Sequence, residues 1–289
     1  MNLPKHLVLS GGGINGIQIL KAIHIIEQKV NGPLKTTLPL ESINTVSVGS
    51  FIGLAIALGY TAKEYIDICI PKDENYMNIF DPIKLSNLFN FYGLTNNDLF
   101  TQIVDDCITH KYPEYKDNSI SFSELFKLTQ IQLNMQVTNL STLQAEIWNH
   151  TTQPDMPVSF AIKVSACLPI MFSPISYNGY IYVDGGVKHN IMHKTITDDS
   201  LIIWLQSSDK FTIKSNMNLI EYIKRLYRMG TMEMYNMCNS SNTIFISMSA
   251  NSFNMNMGFK DVQNIFDETT ISLESLSFFK VKEKNTDKN

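Results

Sequence analysis

The strongest constraint on this chain is its opening: an apolar run, Leu7-Val8-Leu9, passes through Ser10 into Gly11-Gly12-Gly13-Ile14-Asn15-Gly16. Beyond the glycines, Ile19, Leu20, Ile23, Ile26 and Val30 recur at helical spacing, with Gln18, Lys21, Glu27 and Gln28 elsewhere on the wheel. Asn31-Gly32-Pro33 then ends the helix. A core strand that turns through glycines into an amphipathic helix buries its apolar faces in a layered α/β arrangement. One α/β domain is expected over residues 1–279, with 280–289 a polar tail.

The same punctuation recurs downstream. Ile43 to Val46 reads as a second strand running into Ser47-Val48-Gly49, and Ser50 to Gly59 is apolar nearly all round, as in a helix buried against a sheet. Thr61-Ala62-Lys63-Glu64 has capping-box spacing and opens a helix towards Ile70. A further helix is expected from Asn97 through Cys107. Ile131, Leu133, Met135 and Val137 alternate with Gln132, Asn134, Gln136 and Thr138, which predicts a half-buried strand, and Leu143, Ala145 and Ile147 mark its hairpin partner. Val158 to Cys167 reads as a helix stopped by Pro169, and Tyr180 to Val183 as a strand entering Asp184-Gly185-Gly186. Leu201 to Leu205 and Thr243 to Met248 read as strands, Leu219 to Cys238 and Asp261 to Phe279 as helices.

Between Pro71 and Thr95 the pattern has no clear period. Its Met77, Ile79, Phe80, Leu88, Phe89, Phe91 and Tyr92 are expected to fill core, the alternative being a mobile cap whose apolar face meets lipid. Met229, Met232, Met234, Met237, Met248, Met255 and Met257 read the same way, as core first and as an adaptable acyl pocket second.

A net charge of −4 lacks the basic footprint of a nucleic-acid binder. It leaves contact with a membrane surface open, because apolar area can carry such binding. No secretory signal opens the chain, and no apolar stretch approaches the roughly 20 residues that span a bilayer. Cys69, Cys107, Cys167 and Cys238 are scattered, with no metal-binding spacing, and are expected to be reduced thiols. The expected setting is intracellular, either cytoplasmic or peripheral to membranes.

Three segments carry chemistry. The glycine loop offers a row of backbone N–H groups at a helix N-terminus, suited to negative charge. Its Gly11-x-Gly13-x-x-Gly16 spacing also occurs in dinucleotide-binding turns, but those need a second strand ending in an acidic residue about 20 residues on. Residues 31–39 supply none, and Ile17-Gln18 does not supply the Lys-Ser/Thr of a phosphate loop. Thr45-Val46-Ser47-Val48-Gly49 lies where a nucleophile elbow sits, between a short strand and a helix, with Thr45 in place of the usual first glycine. Asp184 ends a strand before two glycines, a place for an ordinary turn former or for a carboxylate that reaches a neighbouring strand. Only His189 and His193 follow Asp184; a histidine from His6, His24, His110 or His150 would need another chain order. The pattern points to a two-member site in which Asp184 takes the Ser47 proton directly.

Together these segments resemble the patatin-like phospholipase family. Leu9 to Gly16 is similar to its oxyanion loop, Thr45 to Gly49 to its serine elbow, Asp184-Gly185-Gly186 to its aspartate turn, and Ala161 to Pro169 to the helix before the aspartate strand. The resemblance runs from about His6 to beyond Ser277. It implies a three-layer α/β sandwich, with a mostly parallel central sheet and helices on both faces. It further implies a serine acyl hydrolase of phospholipase A type, acting on phospholipid or other acyl-lipid esters through an acyl-enzyme. By position, Ser47 is the nucleophile and Asp184 the base. Gly12, Gly13 and Ile14 are the oxyanion donors, and Gly11, Gly16, Gly49, Gly185 and Gly186 shape the supporting turns. No metal or organic cofactor is implied. The sequence departs from the family at Asn15, where a basic residue is usual, and at Thr45, whose branched side chain could tilt Ser47. A weak or inert lipid-binding member, or a soluble esterase or thioesterase, would carry the same residues.

Overall fold

The computed structural model describes residues 3–74, 84–115, 119–207, 242–248, 257–274 and 276. Strand β1 (His6–Leu9) leads through a single 3-10 turn into α1 (Gly16–Val30), whose end is fixed by Asn31 in the left-handed region at φ 59°. A one-turn helix α2 (Leu34–Thr37) precedes β2 (Ser42–Val46), α3 (Val48–Leu58) and α4 (Ala62–Cys69). The Thr61–Glu64 capping box closes reciprocally, as its spacing predicts. Then come α5 (Leu85–Phe91), β3 (Gly93–Thr95), α6 (Asp98–Lys111) and α7 (Phe122–Thr129). The hairpin of β4 (Gln132–Asn139) and β5 (Gln144–Trp148) is followed by α8 (Val158–Ser165). Short strands β6 (Ile170–Phe172) and β7 (Ile175–Tyr177) lead to β8 (Tyr180–Asp184), and β9 (Ser200–Ser207), β10 (Thr243–Met248) and α9 (Phe259–Glu268) complete the order.

The sheet runs β10-β9-β1-β2-β4, all parallel, with antiparallel β5, β8 and β7 attached beyond β2. Helices α1, α3 and α8 pack on the face that carries Leu7, Leu9, Ile43 and Leu133, building the main core of an α/β sandwich. The opposite face presents Val8, Ile202 and Trp204, covered by Ile191 and Ile196.

One pairing places the site. Over Val137–Asn139, β4 pairs with β5 on one edge and with β8 on the other; over Met135–Gln136 it pairs with β5 and β2. A strand has two hydrogen-bonding edges, so β2 and β8 share the edge opposite β5 and run towards each other along it. Val46 stands opposite Gln136 and Asp184 opposite Val137, so the two strand ends meet head-on at consecutive residues of β4.

Several expectations need correction. The alternation over residues 131–138 predicts one solvent face, yet both faces of β4 are buried. Its polar side chains are paired instead: Asn134 Nδ2 donates to Asn44 Oδ1 at 2.9 Å and Gln136 Nε2 to His189 O at 2.6 Å. The helix expected from Asn97 through Cys107 spans Asp98–Lys111, the one expected to reach Cys167 ends at Ser165, and the last helix ends at Glu268. The aperiodic aromatic run contains α5 and β3, and its α5 part does not fill core: no residue of α5 is buried, and Phe89 and Tyr92 are 76% and 72% exposed. Met248 packs against the core and Met257 is buried. The other residues expected as cap or acyl pocket, the helix over 219–238 and the 280–289 tail lie outside the described residues. No helix among the described residues is long and apolar enough to cross a membrane.

Candidate active site

Ser47 closes β2 and occupies the N-cap position of α3 at φ 54°, ψ −126°. A side chain in such a sparsely populated region costs about 1–3 kcal/mol and persists only where its surroundings fix it. Here the turn projects the hydroxyl out of the sheet line. Gly49 makes the turn possible, because a Cβ there would lie 2.8 Å from Ser10 O and 2.9 Å from Leu9 O. The strand-to-helix turn is thereby pressed against the end of β1, beside the glycine loop.

Ser47 Oγ donates to Asp184 Oδ2 at 2.6 Å, across 137 residues of sequence. The other carboxylate oxygen, Oδ1, accepts the Gly186 N–H at 2.7 Å, and the Asp184 N–H donates to Cys167 O at 2.8 Å. Asp184 is 2% exposed, and burial pushes its carboxyl up to about 7, against the opposing pull of the Ser47 and Gly186 bonds. Gly185 admits the turn, since a Cβ would stand 2.1 Å from Gln136 O. Gln136 Nε2 in turn holds Gly185 O at 2.8 Å. Both carboxylate oxygens are thus engaged, by a serine and a glycine amide. His189 and His193 pack edge-to-face on each other, with ring centroids 4.8 Å apart.

The glycine loop runs alongside. Gly11 is buried between Ser47 and Asn190, and a Cβ on it would lie 3.2 Å from Ser47 Cβ and 2.5 Å from Asn190 Oδ1. Gly12, Gly13 and Ile14 are partly exposed at the rim, with Gly13 in the left-handed region at φ 56°. Gly16 sits behind the loop against Val48, where a Cβ would lie 2.5 Å from Val48 Cγ2.

Both departures from the family pattern are accommodated. Asn15 is fully buried, and its backbone N–H and its Nδ2 both donate to Gly12 O, at 3.2 and 3.3 Å, so the residue braces the loop from beneath. Thr45 turns its methyl group towards Gly53, where a Cβ would lie 2.5 Å from Thr45 Cγ2. Its hydroxyl donates to Asn134 O at 2.9 Å. The branched side chain is directed into the α3 interface, away from the Ser47 hydroxyl.

Reasoning from sequence missed three supporting residues. Ser165 Oγ accepts the Ser47 N–H at 3.1 Å, Gln136 holds the aspartate turn, and Asn190 brackets Gly11. Asn190 Nδ2 donates to Gly11 O at 3.3 Å while the Gly11 N–H donates to Asn190 O at 3.0 Å. Ser165 lies within the Ala161–Pro169 segment, but nothing local to it signals a partner 118 residues away. Among the described residues, no group of three or more His, Cys, Asp or Glu side chains could hold a metal ion.

Comparison with known proteins adds family context. A model described as patatin-like phospholipase matches residues 7–195. The "Probable lipid hydrolase 463L" of Invertebrate iridescent virus 6 is 32% identical over 187 residues, covering 64% of this chain and 61% of that protein. "Uncharacterized protein R571" of Acanthamoeba polyphaga mimivirus is 28% identical over 195 residues, covering 68% and 62%. The match therefore spans just over three-fifths of either viral relative's length. The crystal structure of VipD from Legionella pneumophila aligns with 92% of this chain and 67% of its own at a TM-score of 0.51, with 16% identity, a likeness of fold.

Proposed function

This chain belongs to the patatin-like phospholipase family, and on that footing we propose that it is a serine acyl hydrolase cleaving fatty-acyl esters of lipids, of phospholipase A type. The observation that carries this reading is the buried 2.6 Å hydrogen bond from Ser47 Oγ to Asp184. A hydroxyl directed at a carboxylate whose proton affinity lies near neutrality is what direct general-base activation requires.

In the proposed reaction, Ser47 Oγ attacks the ester carbonyl carbon while its proton passes to Asp184 Oδ2. Charge collects on the former carbonyl oxygen, which the amides of Gly12, Gly13 and Ile14 receive; losing one such donor commonly costs roughly 3–4 kcal/mol. Collapse of the tetrahedral species breaks the ester C–O bond, and Asp184 returns the proton to the departing alcohol. Water then gives a proton to Asp184 and attacks the acyl-enzyme, and a second collapse releases the fatty acid with Ser47 reprotonated. No metal or cofactor takes part in this scheme.

We assign the lipid-facing surface to α5. Leu85, Phe89, Phe91 and Tyr92 stand at least 60% exposed on it. The element that follows is tied to the site's framework: the Ser173 N–H donates to Thr95 O at 3.1 Å, and Asn97 Nδ2 to Lys163 O on α8 at 2.8 Å. Transient insertion of this apolar face at a membrane surface fits the substrate class, since burying it there removes apolar area from water.

The test pairs a fluorophosphonate probe with fatty-acid release from mixed phospholipid vesicles, on the native protein and on Ser47→Ala. Labelling and release that vanish together in the variant are expected. A native protein that neither labels nor hydrolyses would instead mark an inert lipid binder, and turnover restricted to water-soluble esters would mark a soluble esterase.

A further inference from the structure

The strained Ser47 turn must be held from outside, because its backbone conformation belongs to neither strand nor helix. The Ser47 N–H donates to Ser165 Oγ at 3.1 Å, and Ser47 O accepts the Ser50 N–H at 2.8 Å. Ser165 Oγ donates onward to Gln136 O on β4 at 2.8 Å, and it lies 3.1 Å from Ser50 Oγ. Ser50 Oγ in turn lies 3.0 Å from Thr45 Oγ1, which donates to Asn134 O, also on β4, at 2.9 Å. Thr45, Ser50 and Ser165 are all fully buried.

Counting protons fixes the roles. Two of the three hydroxyl protons are committed to β4 carbonyls, so the single Ser50 proton bonds either the Thr45 or the Ser165 oxygen at one time, and the other contact is made without a proton. The result is an arch of hydroxyls whose feet stand on β4 and whose Ser165 end holds the amide of Ser47. The 2.6 Å approach of Ser47 Oγ to Asp184 depends on the angle of that turn.

We propose that Ser165 is a positioning residue for the Ser47 nucleophile, and that Thr45 and Ser50 brace it through this buried arch. Thr45, the departure at the elbow, thus contributes a foot of the support. The inference rests on the reading of Ser47 as nucleophile. Ser165 touches the serine backbone and acts on the reaction only through it.

The experiment compares the native chain with Ser165→Ala and Thr45→Val by fluorophosphonate labelling rate, kcat and KM on a vesicle substrate, and NMR-detected hydrogen exchange at the Ser47 amide. In Ser165→Ala the labelling rate and kcat are expected to fall about 100-fold, the scale of a displaced reacting group. KM should stay in place, because the lipid surface does not change, while the pH midpoint should move upward as the displaced Ser47 hydroxyl ceases to hold the Asp184 carboxyl down. Ser47 amide exchange should accelerate at least about tenfold, the loss of a typical buried hydrogen bond. Thr45→Val should produce smaller changes of the same kind. Native labelling together with native Ser47 exchange in Ser165→Ala overturns the proposal. Should Ser165→Ala fail to fold, Thr45→Val decides: native values there remove the arch. A wild-type chain inert to the probe defeats the nucleophile reading, while Ser47 exchange still decides whether Ser165 holds the turn.

Discussion

Replacing Asp184 by Asn should abolish hydrolysis and, at the same time, make the protein more stable above neutral pH. Burial raises the carboxyl from 3.8 to about 7, so across that interval the native state keeps a proton that the unfolded chain has released. Stability then falls with rising pH by about 1.4 kcal/mol per pH unit on account of this group. Below about pH 4 both states are protonated and the penalty is absent; above about pH 7 both are ionised and it is complete. A shift of about three units corresponds to roughly 4 kcal/mol withheld from the native state at pH 8. Asparagine is neutral throughout, nearly isosteric, and keeps an oxygen for the Gly186 N–H. Urea unfolding of both proteins at one-unit steps from pH 4 to pH 8 measures the effect. The free-energy difference between them should widen by about 4 kcal/mol in favour of the variant over that range. Glu27, also pushed up to about 7 by burial, is present in both proteins and cancels in the difference. Wild-type hydrolysis should rise through the same pH window as the base ionises. A difference that stays flat from pH 4 to pH 8 would falsify the raised carboxyl, and a variant that hydrolyses at the wild-type rate would remove Asp184 from the reaction.

Glu27→Gln should show the same sign at a second place, gaining up to about 3 kcal/mol above neutral pH, because Glu27 is 5% exposed and its burial outweighs the hydrogen bond that Oε2 accepts from the Ala62 N–H at 3.0 Å; unfolding at pH 5 and pH 8 measures it. Gly185→Ala should cost about 3 kcal/mol or more, since its methyl would meet Gln136 O at 2.1 Å, and a melting temperature equal to wild type would contradict the packed turn. Phe89→Ser combined with Phe91→Ser should weaken binding to phosphatidylcholine vesicles at least about tenfold. The melting temperature should not move, because both rings are exposed, and unchanged sedimentation with vesicles would reject α5 as the lipid-facing surface.

The elements that position Ser47 were legible because each announces itself over a few neighbouring residues. The Leu7–Leu9 run, the glycine cluster and the apolar Ser50–Gly59 stretch need no distant partner to be read. The polar face of β4 was misread for the opposite reason. Asn134, Gln136 and Thr138 alternate as a solvated face would, yet they are buried because loops far along the chain supply their partners: Asn149 Nδ2 on Asn134, Gly185 O on Gln136 and Thr138. Ser165 and Asn190 escaped notice in the same way, their partners lying 118 and 179 residues away. Short segments were lost too. The three-residue strands β3 and β6 pair with each other and carry no period of their own. The aromatic residues of α5 suggested core because apolar side chains usually supply it, and only the folded chain reveals a helix with no buried residue.

Two strands that end nose to nose on a common rail make reactivity a gauge of finished assembly. The ends of the two strands, Val46 and Asp184, stand one step of the β4 backbone apart, about 3.3 Å, and a slip of one residue by either strand would also send its side chains to the wrong face. Until β4 has been laid beside β2 and the return strand has come back along the same edge, the chain carries only an ordinary alcohol and an ordinary acid. On the proposed reading of the site, the catalytic pair comes into being only when the sheet has closed.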